Sequence, residues 1–400
     1  MQRIENVVWY PYRIPLRSRF TTAHGSLTAR EGAIVEVITE DGLSGVGEIA
    51  PLPEFAGDNL ETALAPLPTL SGQLKSKTPA DALALLYAGS PELPATTVCG
   101  LESALFDIIG RLTDRSVSAI VSSTDNRNVN SNVLKTLNTV ETQFIASCDS
   151  SLFFSSKRGI PVNAVIGALP LAATIARAQE LATAGFQCIK LKVGSNPDQE
   201  VARVAAIRAA IGPSIHLRLD ANAAWTLDQA VTILARCAAY DLQYVEQPLP
   251  AGDLEGMRRL RRMVPVPIAA DEGISTTESA RHVLAHAAAD ILILKPQLVG
   301  GLRAGQQMIC EAAAYGVQCV VTSTIETGVG VAGAAHLAAA MPEIKLECGL
   351  ATLPLLEDDL LLEGLSIQNG VLAVPAGPGL GIFLDRAALA RYSVDKTHLI

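Results

Sequence analysis

Short apolar runs recur about every 25 residues along the second part of the chain. Most of the intervals between them are Ala-rich and have helical periodicity. Capping-box patterns start at Thr226 and Ser275, and Gly185, Gly212 and Gly316 stand just past expected helix ends. Eight strands alternating with helices, without a dinucleotide-binding fingerprint, predict a parallel (β/α) barrel. The predicted strands are 162–166, 188–193, 216–220, 243–246, 267–270, 291–294, 318–322 and 345–348.

The first 115 residues carry a different pattern. Apolar and polar positions alternate around 4–10 and 33–39, and a glycine-rich turn follows, which predicts an antiparallel sheet. A helical pattern over 96–112 completes an α+β domain of its own. The sequence thus divides into a first domain (1–115), a polar connecting segment (116–160), a barrel (161–365) and a tail (366–400) that is predicted to return to the first domain.

Composition and charge exclude several classes of function. The net charge of the 400 residues is −9, which speaks against a nucleic-acid-binding surface. No apolar stretch approaches the roughly 18 residues of a membrane span, and the N-terminus lacks a signal-peptide pattern. The seven cysteines are scattered without a CxxC motif, as is typical of free thiols in a reducing compartment. We expect a cytoplasmic protein that binds neither nucleic acid nor membranes, and a homo-oligomer stays open.

Charged residues end five of the predicted strands, where an apolar strand has no need of them. Because the carboxyl ends of barrel strands meet at one face, these side chains are expected to converge there. The set consists of Lys190, Lys192, Asp220, Glu246, Asp271 and Lys295.

The three acids come from consecutive strands and predict a metal site. Asp220, Glu246 and Asp271 would repel one another without a counter-ion. Ligation by oxygen alone, with no nearby His or Cys, favours Mg²⁺ over Zn²⁺. Taken singly, each acid could equally pair with an arginine or cap a helix.

The lysines predict proton transfer. Lys190 and Lys192 are two residues apart on one strand and so point to the same face, whereas Lys295 ends a strand on the opposite side of a ring of eight. Mutual repulsion and the cation are expected to lower the lysine pKa values, as a lysine base requires. Lysines that merely extend to solvent at the barrel rim are the structural alternative.

Together these groups suit removal of the α-proton of a metal-bound carboxylate substrate. The metal and the second lysine would stabilise the resulting enediolate. Reprotonation on the other face would give racemisation or epimerisation, and loss of a β-leaving group would give dehydration or lactone opening. Among weaker candidates, Asn222 could orient a ligand, and the segment 322–330 could hold an anion through its backbone N–H groups, although both could equally form simple turns.

The six charged residues resemble those of the enolase superfamily, and of its muconate-lactonizing subgroup in particular. The resemblance spans nearly the whole chain and implies an α/β fold: a (β/α)₇β TIM-like barrel with an α+β capping domain. It also implies Mg²⁺, for which Mn²⁺ can substitute, on Asp220, Glu246 and Asp271. Lys192 would be the proton-abstracting base, Lys190 its electrostatic support, and Lys295 would lie on the opposite face.

Within the subgroup, the stretches 20–37, 45–55 and 347–360 are similar to the o-succinylbenzoate synthase family. The implied reaction is a syn elimination of water from a small-molecule carboxylate in menaquinone or phylloquinone synthesis. Candidate substrate contacts are Asn222, Ser323, Thr324, Gly349 and Leu350. After the acid pair Asp271-Glu272, where a serine often follows in the family, this chain has Gly273, and this puts a contact behind the metal ligands in question.

Other reactions could use the same six groups. An N-acylamino acid racemase stays open, whereas residues 348–351 lack the acid pair that dipeptide epimerases of the subgroup usually carry. Muconate cycloisomerisation is disfavoured by the three similar stretches. A non-catalytic metal-binding scaffold would be expected to have lost at least one lysine or acid, and all six are present.

Overall fold

Two sheets, one antiparallel and one parallel, organise the chain. The structure, a computed structural model, describes residues 2–22, 25–56, 58–89, 92–123, 157–194 and 196–394. Within these ranges no helix is long and apolar enough to cross a membrane.

The N-terminal elements are β1 (Ile4–Thr22), β2 (Gly25–Thr39), β3 (Ser44–Ile49), α1 (Pro53–Ala56), α2 (Leu60–Leu64), α3 (Leu67–Leu74), α4 (Pro79–Gly89), α5 (Ala95–Thr113) and α6 (Val117–Ser122). The next are β4 (Gly159–Pro161), β5 (Ala164–Ile166), α7 (Leu171–Thr183), β6 (Cys188–Lys192), α8 (Pro197–Ile211), β7 (His216–Asp220), α9 (Leu227–Cys237), a 3₁₀ turn (Ala238–Tyr240), β8 (Leu242–Glu246), α10 (Leu254–Met263) and β9 (Ile268–Ala270). The last are α11 (Thr277–Ala285), β10 (Ile291–Leu294), α12 (Pro296–Val299), α13 (Leu302–Ala314), β11 (Gln318–Val321), α14 (Gly328–Ala340), a 3₁₀ turn (Leu353–Leu355), β12 (Ile367–Gln368), β13 (Val371–Ala373) and α15 (Arg386–Tyr392).

The N-terminal sheet forms the cap, which comprises β1 to β3 and α1 to α6. Its strands pair antiparallel in the order β1-β2-β3, and Gly42, at φ +83°, supplies the left-handed residue in the turn between β2 and β3. Helix α5 lies very close to β3, because a Cβ on Gly47 would come within 2.0 Å of the carbonyl oxygen of Gly100. The predicted antiparallel sheet and the predicted helix at 96–112 are therefore both present.

The seven strands β5 to β11 are parallel and adjacent in chain order. Isolated bridges from Val162 to Cys348 and from Thr322 to Gly349 join the two edges of this sheet through the eighth predicted strand. The prediction of a (β/α)₇β barrel is thereby confirmed, and the seven paired strands begin and end within two residues of their predicted positions.

The helix caps agree in part with the sequence patterns. Thr226 and Gln229 form the predicted capping box at the start of α9. The box predicted from Ser275 is wrong by one residue, because Thr276 caps α11 and its backbone N–H donates to the Ser279 hydroxyl over 3.0 Å.

Register decides which side chains face the barrel interior. Pairing places Lys190 beside Arg218, and it places Lys192 beside Asp220, which in turn lies beside Glu246. Since residues alternate between the two faces of a strand, the lysines and acids belong to the inward series. Below them, the same series forms a packed interior of Tyr244, Ala269, Ile291, Ile293 and Val320.

A buried guanidinium closes the lower barrel. Arg218 has no exposed surface, and its charge is met by Glu347 Oε2 at 2.8 Å and by the ring of Tyr244 at 4.6 Å. Gln243 Oε1 accepts a further hydrogen bond from it over 2.6 Å. These contacts fill the lower interior, away from the end at which the strands terminate.

The last described residues contact both parts of the molecule. Strand β13 pairs antiparallel with β4, and Arg386 of α15 forms an ion pair with Glu36 of the cap. Residues 116–123, predicted as part of a connecting segment, include α6, in which Ser118 donates its backbone N–H to buried His336 over 3.2 Å. The rest of that segment, 124–156, lies outside the described residues, and the division into four segments stays a prediction.

A buried carboxylate joins the cap to the barrel. Glu102 of α5 has no exposed surface, accepts a hydrogen bond from Tyr87 Oη over 2.7 Å, and accepts the backbone N–H groups of Leu302 and Arg303 at the start of α13. Burial raises the pKa of Glu102 from 4.5 to about 7, although these donors act in the opposite direction.

This raised pKa predicts a pH-dependent stability. Between pH 4.5 and 7 the folded chain holds a proton that the unfolded chain releases, so stability is present at low pH and is lost as pH rises through 7. Glu102→Gln, which resembles the protonated form, should remove about 2–3 kcal/mol of the change in unfolding free energy between pH 4.5 and 8. Denaturant unfolding at both pH values measures this, with exposed Glu61→Gln as the control. An unchanged pH slope in Glu102→Gln would contradict the prediction.

Candidate active site

The strand ends bring the predicted charged residues together. The Lys190 ammonium lies 2.7 Å from Glu246 Oε1 and 3.0 Å from Asp220 Oδ2, so that one cation bridges two acids from neighbouring strands. The Lys192 ammonium lies 2.6 Å from Asp220 Oδ2. Asp220 and Glu246 are each 1% exposed, so these contacts form in a largely dehydrated space.

Lys295 stands four strands away from Lys192 in the order of the sheet. It follows β10 directly and forms an ion pair with Asp271, which follows β9. Its ammonium also lies 3.9 Å from the centroid of the Phe55 ring, which belongs to the cap. The site is therefore built from the barrel and the cap together.

Three carboxylates and three ammonium groups meet in the site, and the burial of these charges governs its electrostatics. Burial, together with the charges of Asp220 and Asp271, raises the pKa of Glu246 to about 8. Burial would raise the pKa of Asp220 as well, but the two neighbouring lysines hold it well below its usual range. The pKa values of these two acids are therefore shifted in opposite directions.

Without a metal ion in the site, the pKa of Lys190 is shifted in the direction opposite to the one expected with a bound cation. Burial disfavours its ammonium form, but the charges of Asp220 and Glu246 outweigh burial and hold the pKa of Lys190 well above its ordinary value. The expectation counted the other lysine and a cation as neighbours, whereas the nearest charges are those of the acids.

The residues fit a hard divalent cation in donor type and charge. Glu246 Oε2 is buried without a hydrogen-bond partner among the described residues, as expected of an atom that can serve as a metal ligand. In the described parts of the chain, no three His, Cys, Asp or Glu side chains stand as a ready-made metal cluster. Ammonium groups take the places beside the acids instead, so that binding of Mg²⁺ to Asp220, Glu246 and Asp271 would exchange those contacts for the ion.

Asn222 contacts the lysine rather than an open surface. Its Oδ1 accepts a hydrogen bond from Lys192 Nζ over 2.8 Å, and its Nδ2 donates to Glu272 Oε1 over 2.9 Å. Asn222 and Ala223 have left-handed φ values of +44° and +61°, which cost about 1–3 kcal/mol each and are typical of functional sites. Glu272 thus orients Asn222, which in turn orients Lys192.

Two glutamines of the site were missed by the sequence analysis. Gln247 is buried and accepts the backbone N–H of Asp271 over 2.9 Å, and so it positions a predicted metal ligand. Gln297 accepts the Ala50 N–H over 3.1 Å, and so it fastens the cap chain beside Lys295. Both stand within two residues of a predicted site residue, which was the available signal.

The remaining predicted substrate contacts lie at the ends of β11 and of the eighth strand. The hydroxyl of Ser323 pairs with that of Thr352 over 2.7 Å, and the carbonyl of Gly349 accepts the Thr322 hydroxyl over 2.9 Å. Thr324 is 1% exposed and Leu350 is completely buried in the hydrophobic core. That these residues bind substrate stays a prediction, and the burial of Thr324 and Leu350 gives it no support.

A carboxylate of the cap, that of Glu48, binds at the N-terminus of α14. Glu48 of the cap accepts the backbone N–H groups of Thr327 and Gly330 over 2.9 and 2.8 Å, and the Thr327 hydroxyl over 2.6 Å. The anion-binding character expected of segment 322–330 is therefore used by the protein's own carboxylate, which joins the cap to the barrel.

Comparison with known proteins agrees with this geometry. Residues 173–388, more than half of the chain, match the family model described as enolase C-terminal domain-like, and residues 4–86 match that of the MenC N-terminal domain. The o-succinylbenzoate synthase of Thermobifida fusca is 40% identical over 218 residues, which cover 54% of this chain and 66% of that protein, just under two thirds. The L-Ala-D/L-Glu epimerase of Bacillus subtilis is 28% identical over 92% of this chain and 93% of its own length.

A solved structure extends the likeness to nearly the whole chain. The dipeptide epimerase from Enterococcus faecalis, complexed with Mg and the dipeptide L-Leu-L-Tyr, is 26% identical with a TM-score of 0.82. The alignment covers 95% of this chain and 99% of that one. The chain belongs to the enolase superfamily, within its muconate-lactonizing subgroup.

Proposed function

We propose that the chain is a Mg²⁺-dependent o-succinylbenzoate synthase. Its substrate would be 2-succinyl-6-hydroxy-2,4-cyclohexadiene-1-carboxylate, which loses water to give o-succinylbenzoate. The observation that carries the proposal is the placing of Lys192 and Lys295 on strands four apart, each beside a carboxylate at the open end of one barrel. The match of the cap to the MenC N-terminal domain supports this substrate among those open to the superfamily.

Each residue of the site has its own role in the proposed reaction. Lys192, as the neutral amine, would take the α-proton and then return it to the departing hydroxyl from the same face, so that water leaves and the amine is restored. Asn222 would keep the Lys192 nitrogen directed into the site. Lys295 would stay charged and stabilise the enediolate. When bound to the three acids, Mg²⁺ would supply the positive charge that acidifies the α-carbon.

A second reaction is supported by a specific feature. Two lysines from opposite sides of one barrel suit a racemase or epimerase of acylated amino acids, in which one lysine removes the proton and the other replaces it on the far face. The likeness to an epimerase over most of the chain supports this alternative.

One assay separates the two reactions. With Mg²⁺, the protein should consume the hydroxycyclohexadiene substrate and develop the ultraviolet spectrum of an aromatic acid, and chelation should abolish this. No turnover of that substrate, together with rapid α-deuterium exchange into N-succinyl amino acids, would assign the chain as a racemase instead.

A further inference from the structure

A buried arginine joins the cap to the open end of the barrel. Arg30 of β2 is 2% exposed, and its guanidinium donates to the carbonyl oxygens of Ala50 and Pro51 over 2.6 Å each. It also donates to the carbonyl oxygen of Ile325 over 3.2 Å and to that of Glu31 over 2.8 Å. One side chain therefore holds main-chain atoms of two distant segments, the one that leads from β3 into α1 and the one that follows β11.

Both segments lie at the open end of the barrel. The first, residues 50–55, ends at Phe55, whose ring lies 3.9 Å from the Lys295 ammonium. The second, residues 322–327, follows β11, and its Thr324 hydroxyl donates over 3.3 Å to the carbonyl oxygen at the start of the first segment. The bonds of Arg30 thus fasten together the cap side and the barrel side of the candidate active site.

The segment after β11 has a strained backbone. Ile325 has a φ of +65°, a left-handed value that a β-branched residue rarely adopts and that persists only where the surroundings enforce it. Two bonds hold this residue: Arg30 donates to its carbonyl oxygen, and its own N–H donates to the Ser323 hydroxyl over 3.3 Å. Without Arg30 we expect the strained turn to relax and the cap segment to lose its attachment to it.

The chemistry of the guanidinium group explains why an arginine serves this purpose. It presents five N–H donors in a rigid plane and can bind several acceptors in fixed directions, whereas the lysine ammonium is a compact point charge. The four acceptors named above are all backbone carbonyl oxygens. The bonds of Arg30 therefore fix the path of the main chain, not the position of an acidic side chain.

We propose that Arg30 is a positioning residue that holds the cap segment 50–55 against the turn at Ile325, so that the cap side of the active site is in place before substrate binds. The proposal rests on the proposed function, in which the substrate binds between cap and barrel. Without this attachment the free protein samples conformations in which the cap segment is displaced. The apparent affinity for substrate then falls with the fraction of competent molecules, whereas the substrate-bound enzyme reacts as before.

Steady-state kinetics of Arg30→Lys and Arg30→Gln test this role, with Arg13→Met, at an exposed ion pair on the neighbouring strand β1, as the control. Gln297 still accepts the Ala50 N–H over 3.1 Å, so both variants should fold. KM for the hydroxycyclohexadiene substrate should rise about 10- to 100-fold, the effect of losing hydrogen bonds from a charged group, while kcat changes by less than about threefold. If the chain is a racemase, the same constants are measured by α-deuterium exchange into an N-succinyl amino acid.

The division between KM and kcat separates positioning from a general contribution to stability. A protein that is merely destabilised contains fewer active molecules, so that its kcat falls at an unchanged KM. That result, or the failure of both Arg30 variants to fold, would overturn the proposal. Arg13→Met should keep both constants of the wild type.

A second readout needs no substrate. Hydrogen exchange followed by mass spectrometry reports how often the main chain opens in peptides that cover 48–56 and 322–328. Both peptides should exchange about tenfold faster in Arg30→Lys than in the wild type, while a peptide that covers β7 keeps its rate as an internal control. An unchanged rate in either peptide would overturn the proposal. Faster rates in a protein that turns over neither type of substrate would support the attachment by Arg30 and reject only the proposed function.

Discussion

Replacing Lys192 with alanine is expected to lower the rate of the proposed reaction by about 10²–10⁴-fold, the contribution of a positioned general base. Lys192 is the lysine held by Asp220 and Asn222 at the open end of the barrel, and Lys190 lies two residues before it on the same strand. Lys190, whose ammonium contacts Glu246 at 2.7 Å, is expected to give electrostatic support rather than to act as the base. The measurement is kcat for dehydration, or for α-deuterium exchange if the chain is a racemase.

The fold should tolerate this substitution. Asp220 keeps its contact with Lys190 at 3.0 Å, so no buried carboxylate is left without a partner. Lys192→Arg is the matched variant, since it preserves the positive charge but cannot act as a base near neutral pH. Both variants should be inactive and folded, whereas Lys345→Ala at an exposed position should be fully active. Activity of Lys192→Ala within tenfold of the wild type would remove Lys192 from the role of base.

Replacing Glu246 with glutamine is expected to abolish Mg²⁺-dependent activity while leaving the metal-free protein as stable as before, or more so. Glu246 is the acid whose pKa is raised to about 8 by burial and by the charges of Asp220 and Asp271, and one of its oxygens is buried without a partner among the described residues. A neutral amide relieves that repulsion and can still accept the hydrogen bond from Lys190. It cannot contribute a negative charge to Mg²⁺.

Thermal unfolding with and without Mg²⁺ measures this effect. A ligand that binds only the folded state stabilises it by about 2.7 kcal/mol at 100 times its Kd, so the wild type should gain several degrees in Tm. Glu246→Gln should gain none, and Glu255→Gln, at an exposed ion pair on α10, should respond as the wild type does. A Tm gain of wild-type size in Glu246→Gln would place the metal elsewhere.

The barrel and the charged residues at the ends of its strands could be predicted from the sequence, because both depend on local pattern. Strand period, strand spacing and the position of a charge at the end of an apolar run are all visible along one segment. That Lys190 and Lys192 point to the same face followed from their spacing of two, and in the structure both contact Asp220.

Contacts between segments far apart in the sequence could not be predicted from local pattern. Phe55 covers a lysine that is 240 positions further along the chain, and Glu48 caps a helix that begins near residue 328. The stretch 45–55 resembles a family, but nothing along it shows which distant residues Glu48 and Phe55 contact. Only the packing of the cap onto the barrel brings them to the site.

The pKa of Lys190 likewise depends on contacts that could not be predicted from the sequence. The sequence by itself determined which ionisable groups share one edge of the barrel and which reactions such groups can perform. The tertiary structure decided how close each charge lies to each other charge, and electrostatic energy depends on that distance and on burial rather than on position in the chain. For this reason the sequence alone indicated the chemistry of the site, whereas the protonation of its lysines and acids and the role of the cap required the folded chain.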